Sequence, residues 1–140
     1  MNRLIMPIWG ESNRIQATVS KMPGTIKSTI TRLEIAPRSG VFVRSPKEAG
    51  GYEVQIWRQQ PAGYNTGSIV GTAKTAKDFA IKPDQWNHFQ ITAEGDHIVV
   101  VLNGETTLDI RDAKFPEGHI RLQYQQFPIE FRNIKIRPLP

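Results

Sequence analysis

The chain contains no cysteine, so neither a disulfide nor a thiolate-bound metal stands behind its fold. Its 140 residues make that absence tolerable, because a single domain of this length buries roughly two thirds of its unfolded surface without a staple. No apolar run is long enough to cross a bilayer as a helix, and no membrane partner is expected. The stretch from Met1 to Gly10 meets the polar Glu11–Arg14 after a few apolar residues, and is read as an early strand, with no signal peptide in this chain. Histidine is scarce: His88, His97 and His119 never stand at metal-ligand spacing, so no metal and no cofactor is expected. Gly-x-Ser-x-Gly is missing, and the stretch from Gly67 to Thr75 fails the spacing of a phosphate loop. Serine-hydrolase and nucleotide-hydrolase readings therefore have no support. Clustered charge is lacking as well. The 18 Lys and Arg exceed the 13 Asp and Glu by five, but they are scattered singly and carry no aromatic-glycine motif, which argues against nucleic acid as a partner.

Helical periodicity is also absent. Short alternating runs bounded by Gly, Pro and Asn recur about every ten residues, the mark of an all-β sandwich or barrel in one domain spanning 1–140. Strands are predicted near 3–9, 14–20, 25–35, 40–45, 51–58, 67–71, 86–94, 97–103, 106–110, 118–125 and 129–137. Asn103-Gly104 predicts a type I′ hairpin turn after the run from Ile98 to Leu102, which is apolar enough to be buried on both faces. That turn sets Val101 opposite Thr106 and Val99 opposite Leu108. A turn at Glu94-Gly95-Asp96 extends the hairpin to a three-stranded meander over 86–110. Ile129 and Phe131 differ in parity from Ile134 and Ile136, so a bulge near Arg132-Asn133 is predicted, and a similar slip falls between Ile30 and Leu33. The loop from Arg58 to Asn65 reads as a cleft rim, and the stretch from Ala73 to Pro83 as an extended connection with room for one helical turn.

The alternation of the segment from Gly51 to Trp57 carries the functional signal. Tyr52, Val54 and Ile56 take one face; Glu53, Gln55 and Trp57 take the other. Ile120, Leu122 and Tyr124 likewise oppose His119, Arg121, Gln123 and Gln125, and Phe42 with Arg44 oppose Val41 and Val43. Merged in one sheet, these faces form a patch of amides, guanidinium groups, one carboxylate and aromatic surface, which suits sugar hydroxyls and ring faces. Outward faces of antiparallel sheets are ordinarily polar and need no ligand. Glutamine and tryptophan in place of lysine and glutamate weigh towards a ligand. A two-carboxylate glycosidase would need a second acid about 5 to 10 Å away. None follows Glu53 on its own face, and Glu34, Asp109, Asp112 or Glu130 would have to supply it across the fold.

Ser39-Gly-Val-Phe-Val-Arg44, Gly51-Tyr-Glu-Val-Gln-Ile56, Thr66-Gly-Ser-Ile69, Trp86-Asn-His88, Leu102-Asn-Gly104, Gly118-His-Ile-Arg-Leu-Gln123 and Glu130-Phe-Arg-Asn-Ile134 occur in one order. In that order they resemble the 3-keto-disaccharide hydrolase domain family over roughly residues 26–139. The resemblance implies a concanavalin-like jelly-roll β-sandwich of two curved antiparallel sheets, and a bacterial protein, periplasmic or secreted. It implies a carbohydrate partner and cleavage of glycosides whose sugar carries a ketone at carbon 3. By motif position Glu53 is the catalytic base, while Arg44, Gln55 and Gln123 hold the substrate; Trp57 and Gln125 join the substrate-binding set from the polar strand faces. Arg58 and Gln125 stand where many members have an aspartate and a histidine. That difference keeps open a lectin-like, non-catalytic carbohydrate-binding module, and beside it an oligomerising scaffold built as a homo-oligomer.

Overall fold

The computed structural model describes residues 3–5, 13–17, 24–31, 39–47, 49–57, 60–79, 81–82, 86–124 and 130–138, with side chains from residue 39 onward except at some positions of the last two strands. Ten strands form: β1 (Arg3–Ile5), β2 (Asn13–Ala17), β3 (Gly24–Thr31), β4 (Ser39–Ser45), β5 (Tyr52–Ile56), β6 (Asn87–Glu94), β7 (His97–Leu102), β8 (Glu105–Arg111), β9 (His119–Tyr124) and β10 (Glu130–Pro138). Among the described residues there is no helix. One antiparallel sheet has six strands in the order β1-β10-β3-β6-β7-β8, and a second has four in the order β2-β9-β4-β5.

Alternation decides how the two sheets meet. Val41, Tyr52, Val54, Ile56 and Leu122 from the four-stranded sheet join Phe89, Ile91, Ile98, Val100, Leu102 and Phe131 from the six-stranded sheet in one buried cluster. Each of these removes on the order of 2 kcal/mol worth of apolar surface from water. Ile69, Phe79 and Ile81 close the cluster from the irregular segment between β5 and β6, so the extended connection after Ala73 is stitched to the core by its apolar residues.

The meander and the Asn103-Gly104 turn form as the sequence predicts. Asn103 and Gly104 both take positive φ, 51° and 83°, as a two-residue type I′ turn requires. Val101 pairs with Thr106, but the register then shifts, so Val100 faces Leu108 and Val99 faces Asp109 and not Leu108. The extra residue is Thr107, whose buried hydroxyl donates to the Gly67 carbonyl at 2.9 Å. The bulge thereby sends Leu108 inward and anchors the loop beside β5. Strand β7 is not buried on both faces: Ile98, Val100 and Leu102 are buried, while Val99 and Val101 are partly exposed, because only one side of this sheet is covered. The bulge near Arg132-Asn133 is present, with the register shifting between Arg132 and Lys135. It keeps Phe131, Ile134 and Ile136 all against the core. Ile129 and the slip towards Leu33 lie outside the described residues.

The segment 67–71 is not a strand. Ile69 bridges singly to Val54 and to Ala73, and the chain turns back because Ile69 and Ala73 exchange hydrogen bonds of 2.9 Å. It still runs along the free edge of β5, with Gln55 N donating to Ser68 O, Gly67 N to Gln55 O and Val70 N to Glu53 O at 2.9 to 3.0 Å. The edge of the four-stranded sheet is thus covered by an irregular segment.

Candidate functional site

The four-stranded sheet turns Tyr52, Val54 and Ile56 to the core, so Glu53 and Gln55 stand on its outer face. Register assembles that face in rows. Gln55 pairs with Gly40, Gly40 with Gln123, and Gln123 with Arg14 on β2. One row on, Glu53 pairs with Phe42, Phe42 with Arg121, and Arg121 with Gln16.

Gly40 is the centre of the arrangement. It does not take positive φ, so glycine is required there for room and not for backbone conformation. A methyl at this position would lie 3.0 Å from Glu53 Cγ and Oε1 and 3.3 Å from Gln123 Oε1. The carboxylate and the amide oxygen therefore converge over the bare backbone of β4. Gln123 Oε1 is buried and has no hydrogen-bond partner among the described residues. Ser39 Oγ donates to the Gln123 carbonyl and ties β4 to β9 beside it.

The face is inset. Gln55 and Arg121 are 5% and 3% exposed, and Phe42 is 7% exposed although it is not part of the core cluster. The outer face of the six-stranded sheet differs, with His88, Glu94, Thr106 and Asp109 all exposed. A buried amide, guanidinium and ring set this face apart from that solvated one. The Arg121 guanidinium lies 4.8 Å from the centre of the Phe42 ring and donates to the Gly50 carbonyl at 2.8 Å. Arg121 and Phe42 were legible in the alternation, at the same phase as Gln123 and Glu53, but their pattern alone did not single them out as site residues.

Arg44 is a correction. Strict alternation would set it beside Phe42, but β4 bulges between Phe42 and Ser45, and Arg44 takes a φ of 50°. Its guanidinium leaves the Glu53 face and donates to the carbonyls of Gly95 and Phe115. The bulge is held by close backbone approach: a methyl on Gly118 would lie 2.5 Å from the Arg44 carbonyl carbon, and one on Gly51 2.5 Å from Ser45 Cα. Arg44 there joins a cluster closing one end of the sandwich. The Tyr52 hydroxyl donates to Asp112 and accepts from Phe115 N at 3.1 Å, and the Tyr52 and Phe115 rings meet edge to face at 5.2 Å. Burial and the Asp112 carboxylate push the Tyr52 hydroxyl above its ordinary range. The hydrogen bonds from Tyr52 and Lys114 N hold Asp112 below its own.

Trp57 is half-buried, one residue past β5. Gln125 and Arg58 lie outside the described residues. The described part of the Arg58–Asn65 loop is a turn closed by Gly63 N donating to Gln60 O at 2.8 Å. Among the candidate second acids, Asp109 is paired with His97 on the six-stranded sheet, Asp112 is held by Tyr52, and Glu130 begins β10. Glu34 lies outside the described residues. Glu53 is the only carboxylate in β2, β4, β5 and β9. Among the described residues no group of three or more His, Asp or Glu is placed to hold a metal ion.

Two family motifs belong to the fold. Asn87 Oδ1 accepts from Lys82 N at 2.8 Å and from Asn103 Nδ2 at 3.0 Å, and Asn87 Nδ2 donates to Lys82 O at 2.9 Å. The Trp86-Asn-His88 and Leu102-Asn-Gly104 motifs thus fasten the meander to the preceding loop.

The family of 3-keto-alpha-glucoside-1,2-lyase-like domains matches residues 18–137. No curated protein matches the sequence. Among solved structures, a candidate glycosyl hydrolase from Parabacteroides distasonis ATCC 8503 is 24% identical, with a TM-score of 0.79 over 92% of this chain and 84% of its own. The carbohydrate binding module CBM66 from Bacillus subtilis is 21% identical, with a TM-score of 0.70 over 89% of this chain and 81% of its own. The Caenorhabditis elegans galectin LEC-6 is 11% identical, with a TM-score of 0.58 over 97% and 96%. At these identities the likeness is one of fold, a β-sandwich shared by all three.

Proposed function

This chain belongs to the 3-keto-alpha-glucoside-1,2-lyase-like domain family, and from that premise we propose that it cleaves 3-keto-glycosides with Glu53 as the base. The outer face of the four-stranded sheet is read as the concave face of a concanavalin-type jelly roll. The observation that carries the reading is the lone carboxylate: Glu53 is the one acid among the described strands of that sheet, standing over Gly40 beside Gln123. Hydrolysis by paired carboxylates finds no second acid among those described strands. Elimination needs only one base, because a ketone at carbon 3 acidifies the proton on carbon 2.

In the proposed reaction the Glu53 carboxylate takes the carbon 2 proton, and the electron pair of that bond passes into the ketone as an enolate. The enolate returns its electrons, the bond from carbon 1 to the glycosidic oxygen breaks, and the leaving alkoxide takes a proton. Water then adds across the new double bond, its oxygen to carbon 1 and a proton to carbon 2. The sum is glycoside plus water giving 3-keto sugar plus alcohol. Gln55 and Gln123 orient the sugar hydroxyls, the buried Gln123 Oε1 accepting from one of them. Trp57 lines the end of the face.

A second reading, a carbohydrate-binding module, is favoured by Arg58 and Gln125, which stand where many family members have an aspartate and a histidine, and the shelter of Gln55 and Arg121 is compatible with it. Incubation with a 3-keto-disaccharide distinguishes them. The enzyme releases reducing sugar and Glu53→Gln abolishes the release. Saturable glycan binding without release, weakened by Trp57→Ala, would replace the enzyme reading with the module.

A further inference from the structure

An antiparallel ladder bonds every second residue of a strand to a given neighbour. Asp112 N donates to Asp96 O at 2.8 Å, which makes that pair a bonded one and fixes the phase between β7 and β8. Counting inward through the register, His97 and Arg111 are an unbonded pair, Ile98 and Ile110 a bonded one, and Val99 and Asp109 unbonded again. Asp109 and Arg111 therefore aim their backbone N–H and C=O groups away from β7. β8 is the last strand of its sheet, and among the described residues no other strand pairs with that edge.

We propose that this edge is an interface: β8 pairs antiparallel with β8 of a second copy, about a two-fold axis at Ile110. In that register Asp109 of each copy lies opposite Arg111 of the partner subunit, and the bonded pairs use the N–H and C=O groups that β7 leaves free. The two Ile110 residues meet at the axis, where an unbonded pair brings side chains closest. Ile110 has apolar surface to offer there, being only partly buried against its own core. A two-fold contact uses the same patch on both copies and closes on itself, so the assembly stops at a dimer.

Charge selects this occupant and this register. Exposed edges are commonly blunted by charges, lysine above all, which repel a second copy. Here the signs alternate, and the two-fold register sets opposite charges directly across the strands, a favourable pair. Slipping by two residues would set Asp109 against Asp109 or Arg111 against Arg111, which is unfavourable. Both side chains stand in solvent, 64% and 69% exposed, while Asp109 meets His97 and Arg111 meets Asp96 through one atom each at 2.6 Å. The bulge at Thr107 interrupts the edge and confines the pairing to Asp109–Arg111, so the dimer is a weak one, with a Kd of roughly 10 µM to 1 mM. The edge belongs to the six-stranded sheet and the Glu53 face to the other, so the dimer stands or falls apart from the proposed reaction.

The test is sedimentation of the full chain from about 10 µM to about 1 mM at low salt, with Tm measured for each variant. Wild type is expected to pass from monomer to dimer over that range. Asp109→Arg sets two arginines opposite each other and Arg111→Asp two aspartates, and each is expected to raise Kd at least about tenfold. Combining the two restores the opposite charges and is expected to return Kd to within about threefold of wild type. Asp109→Pro removes an N–H that β7 does not use, so it should abolish the dimer while Tm holds. A wild type that stays monomeric at about 1 mM overturns the proposal. So does a dimer that survives Asp109→Pro, which must be built elsewhere on the surface, and so does a folded double variant no tighter than the single swaps.

Discussion

Substituting Gly40 by alanine separates the chemistry of the face from the stability of the fold. The added methyl would sit 3.0 Å from Glu53 Cγ and Oε1, against a comfortable separation of about 3.5 to 4.0 Å between carbon atoms. The carboxylate must therefore retreat by roughly half an ångström or swing to another rotamer. A 1 Å misplacement at a reacting group can cost about 100-fold in rate, so about a tenfold loss in kcat/KM is expected, near 1.4 kcal/mol of transition-state stabilisation. The fold should not suffer. Gly40 has ordinary φ and the neighbour is the far end of a flexible side chain, while alanine restricts the unfolded chain by up to about 1 kcal/mol. Tm is then expected to hold or rise as activity falls. A Glu53→Gln background provides the control, since Gly40→Ala should add nothing once the carboxylate is gone. Full activity in Gly40→Ala at unchanged Tm would refute the placement of the reacting carboxylate over Gly40.

Three further outcomes follow from the fold and its closed end. Asn87→Ala removes the hydrogen bonds to Lys82 N, Lys82 O and Asn103 Nδ2, among others, and should lower the unfolding free energy by about 2 to 4 kcal/mol in urea melts, at about 1 kcal/mol per bond plus the groups left buried. Arg44→Ala should lower Tm, through the lost contacts to the Gly95 and Phe115 carbonyls, while KM for a 3-keto-disaccharide stays within about twofold of wild type; an unchanged Tm with a raised KM would return Arg44 to the substrate face. The Tyr52–Asp112 pair contributes to both ends of the stability profile. Asp112 is held below its ordinary value, so its contribution is present above about pH 3.9 and is lost as pH falls through the lower folded value. Tyr52 is raised, so its contribution is full below about pH 10 and is lost as pH climbs through the higher folded value. Tm measured against pH should show both limbs, and Asp112→Asn should flatten the acid one.

Much of this was legible in the chain because period-2 patterns and turn residues report directly on strand faces. Glu53 and Gln55 against Val54 and Ile56 needed nothing else, and neither did Asn103-Gly104 or the parity break near Arg132. What failed to show was set by neighbours distant in sequence. The bulge at Thr107 is stabilised by Gly67, forty residues away, and it moved Leu108 opposite Val100. The bulge in β4 depends on Gly51 and Gly118 crowding Ser45, and it turned Arg44 off the face that alternation gave it. Segment 67–71 has strand composition but only one side to pair with, so it became an edge cover for β5. Arg121 carried the right phase, yet its burial against the Phe42 ring follows from the pairing of β4 with β9, and pairing is a property of register.

The claim at the centre is that Glu53 removes a proton from carbon 2 of a 3-keto-glycoside. Incubation in deuterated water, followed by proton NMR at carbon 2, observes that step directly. Wild-type protein is expected to exchange or deuterate carbon 2 in substrate or product, and Glu53→Gln to lose that exchange by about 1,000-fold or more, as expected for removal of a general base together with its charge. Cleavage with the carbon 2 proton fully retained, or exchange undiminished in Glu53→Gln, would contradict the account.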